Sequence, residues 1–172
     1  MADLLPPIPQ KVWDRVELRL TKALANLGDR VQELCPQAQS KQGSIRNKGT
    51  SLFVYRSFNY NQGETIVVGV RFIQVGFIEM LLDEGNGERT RAIFLGDVSV
   101  RANIYREETG QIYLEKEDIH IPPRTKDLLA VTHILLVPTL KKWAAPVSTI
   151  LLTLAGKPPK DILTTWIRAA KP

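Results

Sequence analysis

The sequence predicts an α+β fold: a long N-terminal helix, a four-stranded antiparallel meander, and C-terminal helices packed on one face of the sheet. Apolar residues recur every three or four positions from 10 to 35, then alternate every two positions from 51 to 121. The alternation stops at Pro122-Pro123, which sets off a basic, apolar region over 122–172. The 172 residues are read as one domain. A chain of this length buries about 70% of the surface its unfolded form exposes, so it needs no disulfide or structural metal.

The helix over 10–35 carries Trp13, Val16, Leu20, Leu24, Leu27, Val31 and Leu34 on one stripe, with Arg15, Arg19, Lys22, Asn26, Asp29, Arg30 and Glu33 opposite. Pro9 suits its start, and Pro36 ends it, because proline lacks the N–H a helix interior needs. Gly28 costs up to ~1 kcal/mol against alanine and marks where a kink would fall. Residues 36–50, PQAQSKQGSIRNKGT, are polar and read as a linker or long loop.

Three glycine turns divide 51–121: Asn61-Gln62-Gly63, Glu84-Gly85-Asn86-Gly87 and Glu108-Thr109-Gly110. With Tyr60 opposite Glu64, Leu52 faces Phe72, Val54 faces Val70 and Phe58 faces Ile66 on an apolar face whose one intruder is Arg56. Buried among valines, that guanidinium requires a carboxylate, a carbonyl or a bound anion. The other face sets Phe53 against Arg71 and Tyr55 against Gly69, an aromatic covering a glycine. At the second turn, pairing Asp83 with Glu88 breaks the alternation further along, and a one-residue bulge at Gly76 or Gly96 repairs it. At the third, Glu107 opposite Gln111 puts Tyr105 on Tyr113, Arg101 on Glu117, Ile104 on Leu114 and His120 on Val98.

Beyond Pro123, Thr125–Val137 reads as a helix, with a strand as the alternative because Val131, Thr132, Ile134 and Val137 are β-branched. Val147–Leu154 is a second element and Asp161–Ala170 a terminal helix. The apolar runs Leu128–Leu140 and Trp143–Ala155 are each about 13 residues and are split by Lys141-Lys142. Each falls short of the ~20 residues that span a bilayer, so no transmembrane segment is expected. Met1–Gln10 lacks the basic start and apolar run of a leader. The lone Cys35 argues against a disulfide framework or cysteine-cluster zinc site, so a cytoplasmic location is the expectation.

Charge is unevenly spread. Residues 1–50 carry 8 basic and 5 acidic side chains, 51–121 carry 7 and 11, and 122–172 carry 8 and 2. The basic tail suits an anionic partner, such as nucleic acid, a membrane surface or an acidic protein, but solubility together with attraction to the chain's own acidic middle is the favoured reading. Catalytic and cofactor motifs fail on spacing. Gly156-Lys157 lacks the upstream glycine of a phosphate loop, with Leu151 in its place, and Gly85-x-Gly87 sits in a hairpin with Thr90 where the third glycine belongs. Asp97, Ser99, Asp118 and His120 occupy neighbouring strands, but the expected register turns His120 to the apolar face. His133, among Val131, Ile134 and Leu135, reads as a core or boundary histidine. No ligand spacing supports a metal site from His120, His133 and Asp118, and no cofactor is expected.

The sequence is therefore read as a non-catalytic binding or adaptor domain that engages a protein partner, or itself as a homodimer, through the sheet and a basic C-terminal surface. The residues singled out are Lys141, Lys142, Lys157 and Lys160 on the tail and Arg71, Arg101, Tyr55 and Tyr105 on the sheet. The alternative is single-stranded or structured nucleic-acid binding, since Tyr55, Arg71, Arg101, Asn103, Tyr105 and Tyr113 share one face; Glu115 and Glu117 on that face count against it. A small-molecule enzyme comes third. Trp143 and Trp166 beside lysines also suit peripheral membrane contact, though core helices with snorkelling lysines have the same composition. In the core reading, Trp143, Leu151, Leu154 and Trp166 pack inward while the lysines stay outside.

Overall fold

The computed structural model describes residues 8–47, 51–59 and 64–156. Helix α1 (Gln10–Leu34) is followed by β1 (Gln39–Asn47), β2 (Ser51–Asn59), β3 (Thr65–Gln74), β4 (Phe77–Asp83), β5 (Arg89–Leu95), β6 (Val98–Arg106) and β7 (Ile112–Ile121). Helix α2 (Thr125–Ala130) runs through a π-helical stretch, Val131–Leu136, into α3 (Val137–Lys142), and α4 (Ala144–Leu154) comes last. The α+β class holds: five strands in the order β1-β2-β3-β6-β7 form an antiparallel sheet, and the helices pack against one of its faces. Strands β4 and β5 form a separate two-stranded ribbon.

The stripe on α1 behaves as its spacing predicts. Val12, Trp13, Val16, Leu20, Ala23, Leu24, Leu27 and Val31 are buried, and Trp13 meets Phe72 edge-on with ring centroids 6.0 Å apart. Leu34 departs from the expectation: it is exposed, and Cys35 takes the last inward position. The helix runs through Gly28 without interruption, and Gly28 has a different purpose from the expected kink. A Cβ there would lie 2.1 Å from Nε of Arg56, so the absent side chain is what lets Arg56 pass between helix and sheet.

The segment expected as a linker is instead the edge strand β1. Its inward side chains, Ser40, Gln42, Ser44 and Arg46, are polar because they meet the polar flank of α1, so no apolar alternation marks the strand. Arg46 binds Asp14 at 2.6 Å and Glu17 at 2.5 Å, and Ser44 Oγ donates to Glu17 at 2.5 Å. Gln42 Nε2 donates to the Thr21 carbonyl at 2.8 Å while its own side-chain carbonyl accepts from Arg56 at 2.5 Å. A second Arg56 nitrogen donates to Ser40 Oγ at 2.7 Å. The intruder on the apolar face thus has the carbonyl partner its burial demanded, supplied by a strand not foreseen.

Strands β2 and β3 pair in the expected register, Leu52 with Phe72, Val54 with Val70 and Phe58 with Ile66. Tyr60 and the first turn, Asn61–Gly63, lie outside the described residues. At the second turn Asp83 faces Arg89, not Glu88. The loop is one residue longer because Asp83 Oδ1 accepts from Gly85 N at 2.9 Å and Asn86 Oδ1 from Glu88 N at 3.0 Å. Gly85 and Gly87 supply the positive φ values, 83° and 88°, that close it. This register carries through to Phe72 opposite Val100 without an extra residue, so the expected one-residue bulge is absent.

The ladder is nonetheless interrupted at the two glycines named for it. Val75 N bonds Asp97 O at 2.8 Å and Gly96 N bonds Gly76 O at 3.0 Å, on neighbouring pairs, where a regular antiparallel ladder bonds alternate pairs. Gly76 has φ 73°, and a Cβ at Gly96 would sit 2.2 Å from the Val75 carbonyl oxygen. The change of phase separates the ribbon from the main sheet. At the third turn Ile104 faces Leu114 as expected, but the register shifts on either side. Tyr105 faces Ile112 rather than Tyr113, Glu117 and Asp118 together span the position opposite Arg101, and His120 faces Ser99 rather than Val98.

The C-terminal helices form the rest of the layer, with Leu128, Leu136, Leu140, Val147 and Leu151 fully buried. Thr125–Val137 is helical rather than extended. Pro138 lacks the N–H that an α-turn would donate to Ile134 and crowds that carbonyl, which the wider π-turns before it relieve. The second element, expected over Val147–Leu154, begins earlier, at Ala144, and the helix continues from Val137 to Lys142; Trp143 between them is buried, as is Leu151, while Leu154 is exposed at 36% instead of packing inward. Thr125–Leu154 is long and apolar enough to cross a membrane by length and composition, yet part of its surface is core. Asp161–Ala170, with Trp166, lies outside the described residues.

Two outcomes follow for stability. Gly28→Ala should destabilise the protein by about 1–2 kcal/mol in chemical denaturation, because displacing Arg56 from Gln42 and Ser40 outweighs a propensity gain of up to ~1 kcal/mol. On an Arg56→Ala background the same change should become stabilising; an equal loss in both backgrounds would show that the glycine serves something else. Gly96→Ala, which drives a methyl group into backbone, should cost more than Gly76→Ala, whose left-handed φ alone costs about 1–2 kcal/mol.

Candidate binding face

Because the helices cover one face of the sheet, the odd-numbered side chains of β1, β2, β3 and β6 stand on the other. Phe53 and Tyr55 are stacked there, 5.3 Å between ring centroids and 21° between planes. Both lie down over glycines. A Cβ at Gly69 would be 2.6 Å from Phe53 Cε1, and one at Gly43 2.6 Å from the Tyr55 hydroxyl. The aromatic covering Gly69 is therefore Phe53 rather than Tyr55, which leans the other way over β1. Arg71 sits above Phe53, its guanidinium carbon 4.5 Å from the ring centroid, the cation–π contact the register implied.

Two hollows run along this face. One of about 690 Å³ lies over β1 and β2, between Lys41, Tyr55 and Tyr105; a second of about 330 Å³ adjoins it between Phe53, Gly69, Arg101 and Asn103. They share Phe53 and Tyr105, so they are parts of one trough. Burial pushes the Tyr105 phenol up from its ordinary value, and the nearby Arg71 charge works against that. The charged groups lining the two hollows are Lys41, Arg71 and Arg101 against Glu107.

Of the residues singled out from the sequence, Arg71, Arg101, Tyr55 and Tyr105 come together on this trough. Tyr113 does not: the register shift turns it toward the core cluster, and Ile112 lines the trough in its place. Lys141 and Lys142 are exposed at the end of α3, in the helical layer on the other side of the sheet, while Lys157 and Lys160 lie outside the described residues. Sequence reasoning missed Lys41 and Ile45 because β1 carries no apolar alternation, and Ile112 because nothing local marks the bulges in β7.

The Ser99–Asp118–His120 group does assemble, against the expected register. Asp118 is the centre: Ser99 Oγ donates to it at 2.8 Å, Arg101 approaches at 3.4 Å and His120 Nε2 at 3.5 Å. The order is not that of an activated serine: the group at Ser99 Oγ is a carboxylate made a weaker base by its own hydrogen bonds, His120 sits on that carboxylate and not on the serine, and Ser99 is buried at 8% exposure. The hydrogen bond from Ser99, with Arg101 beside it, holds the Asp118 carboxyl below its ordinary value. His133 is exposed on the helical layer rather than at a core boundary. Among the described residues no three histidine, cysteine or carboxylate side chains converge as a metal site. Cys35 is buried, its thiol pushed up by burial, which leaves it a poor nucleophile.

Compared with protein-family models, curated proteins and solved structures, the chain matches none.

Asp118 supplies a pH test. A depressed folded-state value adds stability above the unfolded value, and that contribution is lost as pH falls through the folded one. The carboxyl carbon of Asp118 should titrate below the usual aspartate range by NMR, and Ser99→Ala should raise its midpoint. A midpoint unmoved by Ser99→Ala would remove Ser99 as the principal cause.

Proposed function

We propose that this is a non-catalytic binding domain whose working surface is the uncovered face of the five-stranded sheet. One observation carries the reading: Phe53 and Tyr55, stacked on each other, fit against Gly69 and Gly43 on the uncovered face and border the trough, with Arg71 over the first. A sheet face built only for solvent has no need of half-buried aromatics fitted to glycines. Rings pinned against backbone lose little freedom when a ligand covers them, which is how aromatic side chains supply binding energy at low entropic cost. The Ser99–Asp118–His120 geometry argues against hydrolysis at that end of the sheet. The lysines at 141 and 142 belong to a different side of the molecule, so an acidic partner reaching them is a separate contact from the one on the trough.

Photo-cross-linking tests which face is occupied, whatever the chemistry of the ligand. A benzophenone amino acid placed at Ile73 or Asn103, beside the trough, should give covalent adducts on irradiation in cells of the source organism. The same group at Ile134 or Lys142, on the helical layer, should give none. Adducts from the helical positions alone would sink the reading.

A further inference from the structure

We propose that two copies of the chain pair through the outer edge of β1, continuing the sheet of one copy into the other. The inference does not depend on the binding-face reading, because it uses the edge of the sheet and not its open face. Strands β1 and β7 end the five-stranded sheet, and among the described residues no further strand pairs with either. An unpaired edge is a template for another strand, and folded chains guard such edges with bulges, charges and proline. Strand β7 is guarded: its register shifts twice, and Glu115, Glu117 and Asp118 stand along it. Strand β1 pairs with β2 over its nine residues without a shift and contains no proline. Its charge on the open face is Lys41, while Arg46 is turned inward and engaged by α1.

The surroundings of that edge favour a second copy over a loose peptide strand. Ile45 is 62% exposed on the open face, and Leu18 is 54% exposed on α1. Leu18 follows Glu17 and lies one turn beyond Asp14, the two side chains that reach Ser44 and Arg46, so it sits beside the β1 edge. An added peptide strand would cover Ile45 alone, whereas a second copy brings its own α1 against Leu18. Seated over β1 and β2, α1 lies about half a strand spacing inside the edge. A two-fold axis at the edge therefore sets the two helices about 10 Å apart, close to the spacing of packed helices.

Charge fits the same arrangement. Gln42 reaches the Thr21 carbonyl and Ser44 reaches Glu17, which puts Gly43 level with the helical turn between them. A two-fold axis at Gly43 runs the helices antiparallel and brings the two copies of Leu18 to one level. It also turns the exposed Lys22 of each copy toward Asp14 and Glu17 of the other. On the open face, Lys41 and Ile45, which line the larger hollow, meet Ile45 and Lys41 of the second copy, so the two hollows run together. The contact is self-complementary and closes at two chains.

Light scattering and sedimentation of the full chain test this between ~1 and ~100 μM, where a modest interface dissociates on dilution. The mass should be that of two chains at the top of the range and fall toward one on dilution. Ile45→Lys, which adds a charge to the edge beside Lys41 of the other copy, should weaken the dimer about 10-fold or more. Leu18→Ser should weaken it about 10-fold by removing apolar surface from the contact. Ile45 and Leu18 lie on opposite sides of the sheet, so a contact wrapped around the edge is the kind that both weaken. Ile73→Ser on the open face and Ile134→Ser on the helical layer should leave the dimer unchanged. All four positions are exposed, so the variants should keep the fold. Amide hydrogen exchange should slow in β1 as the dimer forms and stay the same in β7.

A single-chain mass at ~100 μM would overturn the proposal. So would a dimer that Ile45→Lys and Leu18→Ser leave intact, one that Ile73→Ser or Ile134→Ser disrupts instead, or exchange in β1 that does not change with concentration. A single-chain mass together with adducts from Ile73 or Asn103 in the cross-linking experiment would remove the dimer and leave the binding-face reading intact.

Discussion

Helix α1 buries one continuous stripe, from Val12 to Val31, and in doing so covers β1 and β2 on one side and meets α3 and α4 on the other. Without it the inner face of the sheet and the C-terminal helices would have no common surface, since Trp13, Leu20, Leu24 and Leu27 join both into one core. Truncating a buried leucine of this kind costs about 2–5 kcal/mol. The ion pairs of Arg46 with Asp14 and Glu17 are partly exposed, Asp14 at 58%, so solvent screens them and they add little to the stability of the packed helix. The stripe therefore holds the helix down, and the polar contacts of β1 settle where along the sheet edge it lies.

That polar seam has a consequence for the whole sheet. An edge strand with no apolar face gains little from burial, and β1 keeps its place through Gln42, which ties it at once to the Thr21 carbonyl and to Arg56. Arg56 in turn fits only because residue 28 has no side chain. A glycine in a helix, an arginine in a valine-rich strand and a glutamine in an unpromising loop are parts of one arrangement, and each looks like a defect when considered alone. With β1 in place, Tyr55 has a glycine of the neighbouring strand to lie on, so the inner seam indirectly sets the outer platform.

The same one-sidedness frames the function. Helices confined to one face leave the aromatic and arginine side chains of the other uncovered, while the exposed Lys141 and Lys142 lie in the helical layer on the opposite side of the sheet. The ribbon of β4 and β5 departs from the sheet where Gly76 and Gly96 change the hydrogen-bond phase, with Met80 and Leu81 exposed along it.

The sequence by itself determined the elements whose physics is local or periodic. The α1 stripe, the β2–β3 register and the pairing of Phe53 with Arg71 follow from spacing, and the glycines mark the interruption at Gly76 and Gly96, though not as the one-residue bulge expected there. Tertiary structure decided whatever depended on a partner distant in the chain. Strand β1 is unreadable because its inward residues satisfy the helix rather than the core. The bulges of β7 are set by packing of Tyr113 and Ile119 against the core cluster, which no alternation within β7 reveals. For the site, Tyr55, Arg71, Arg101 and Tyr105 were legible because alternation along their strands puts them on one face. Lys41, Ile45 and Ile112 were not, because their place on that face depends on pairings between segments and not on the period of any one.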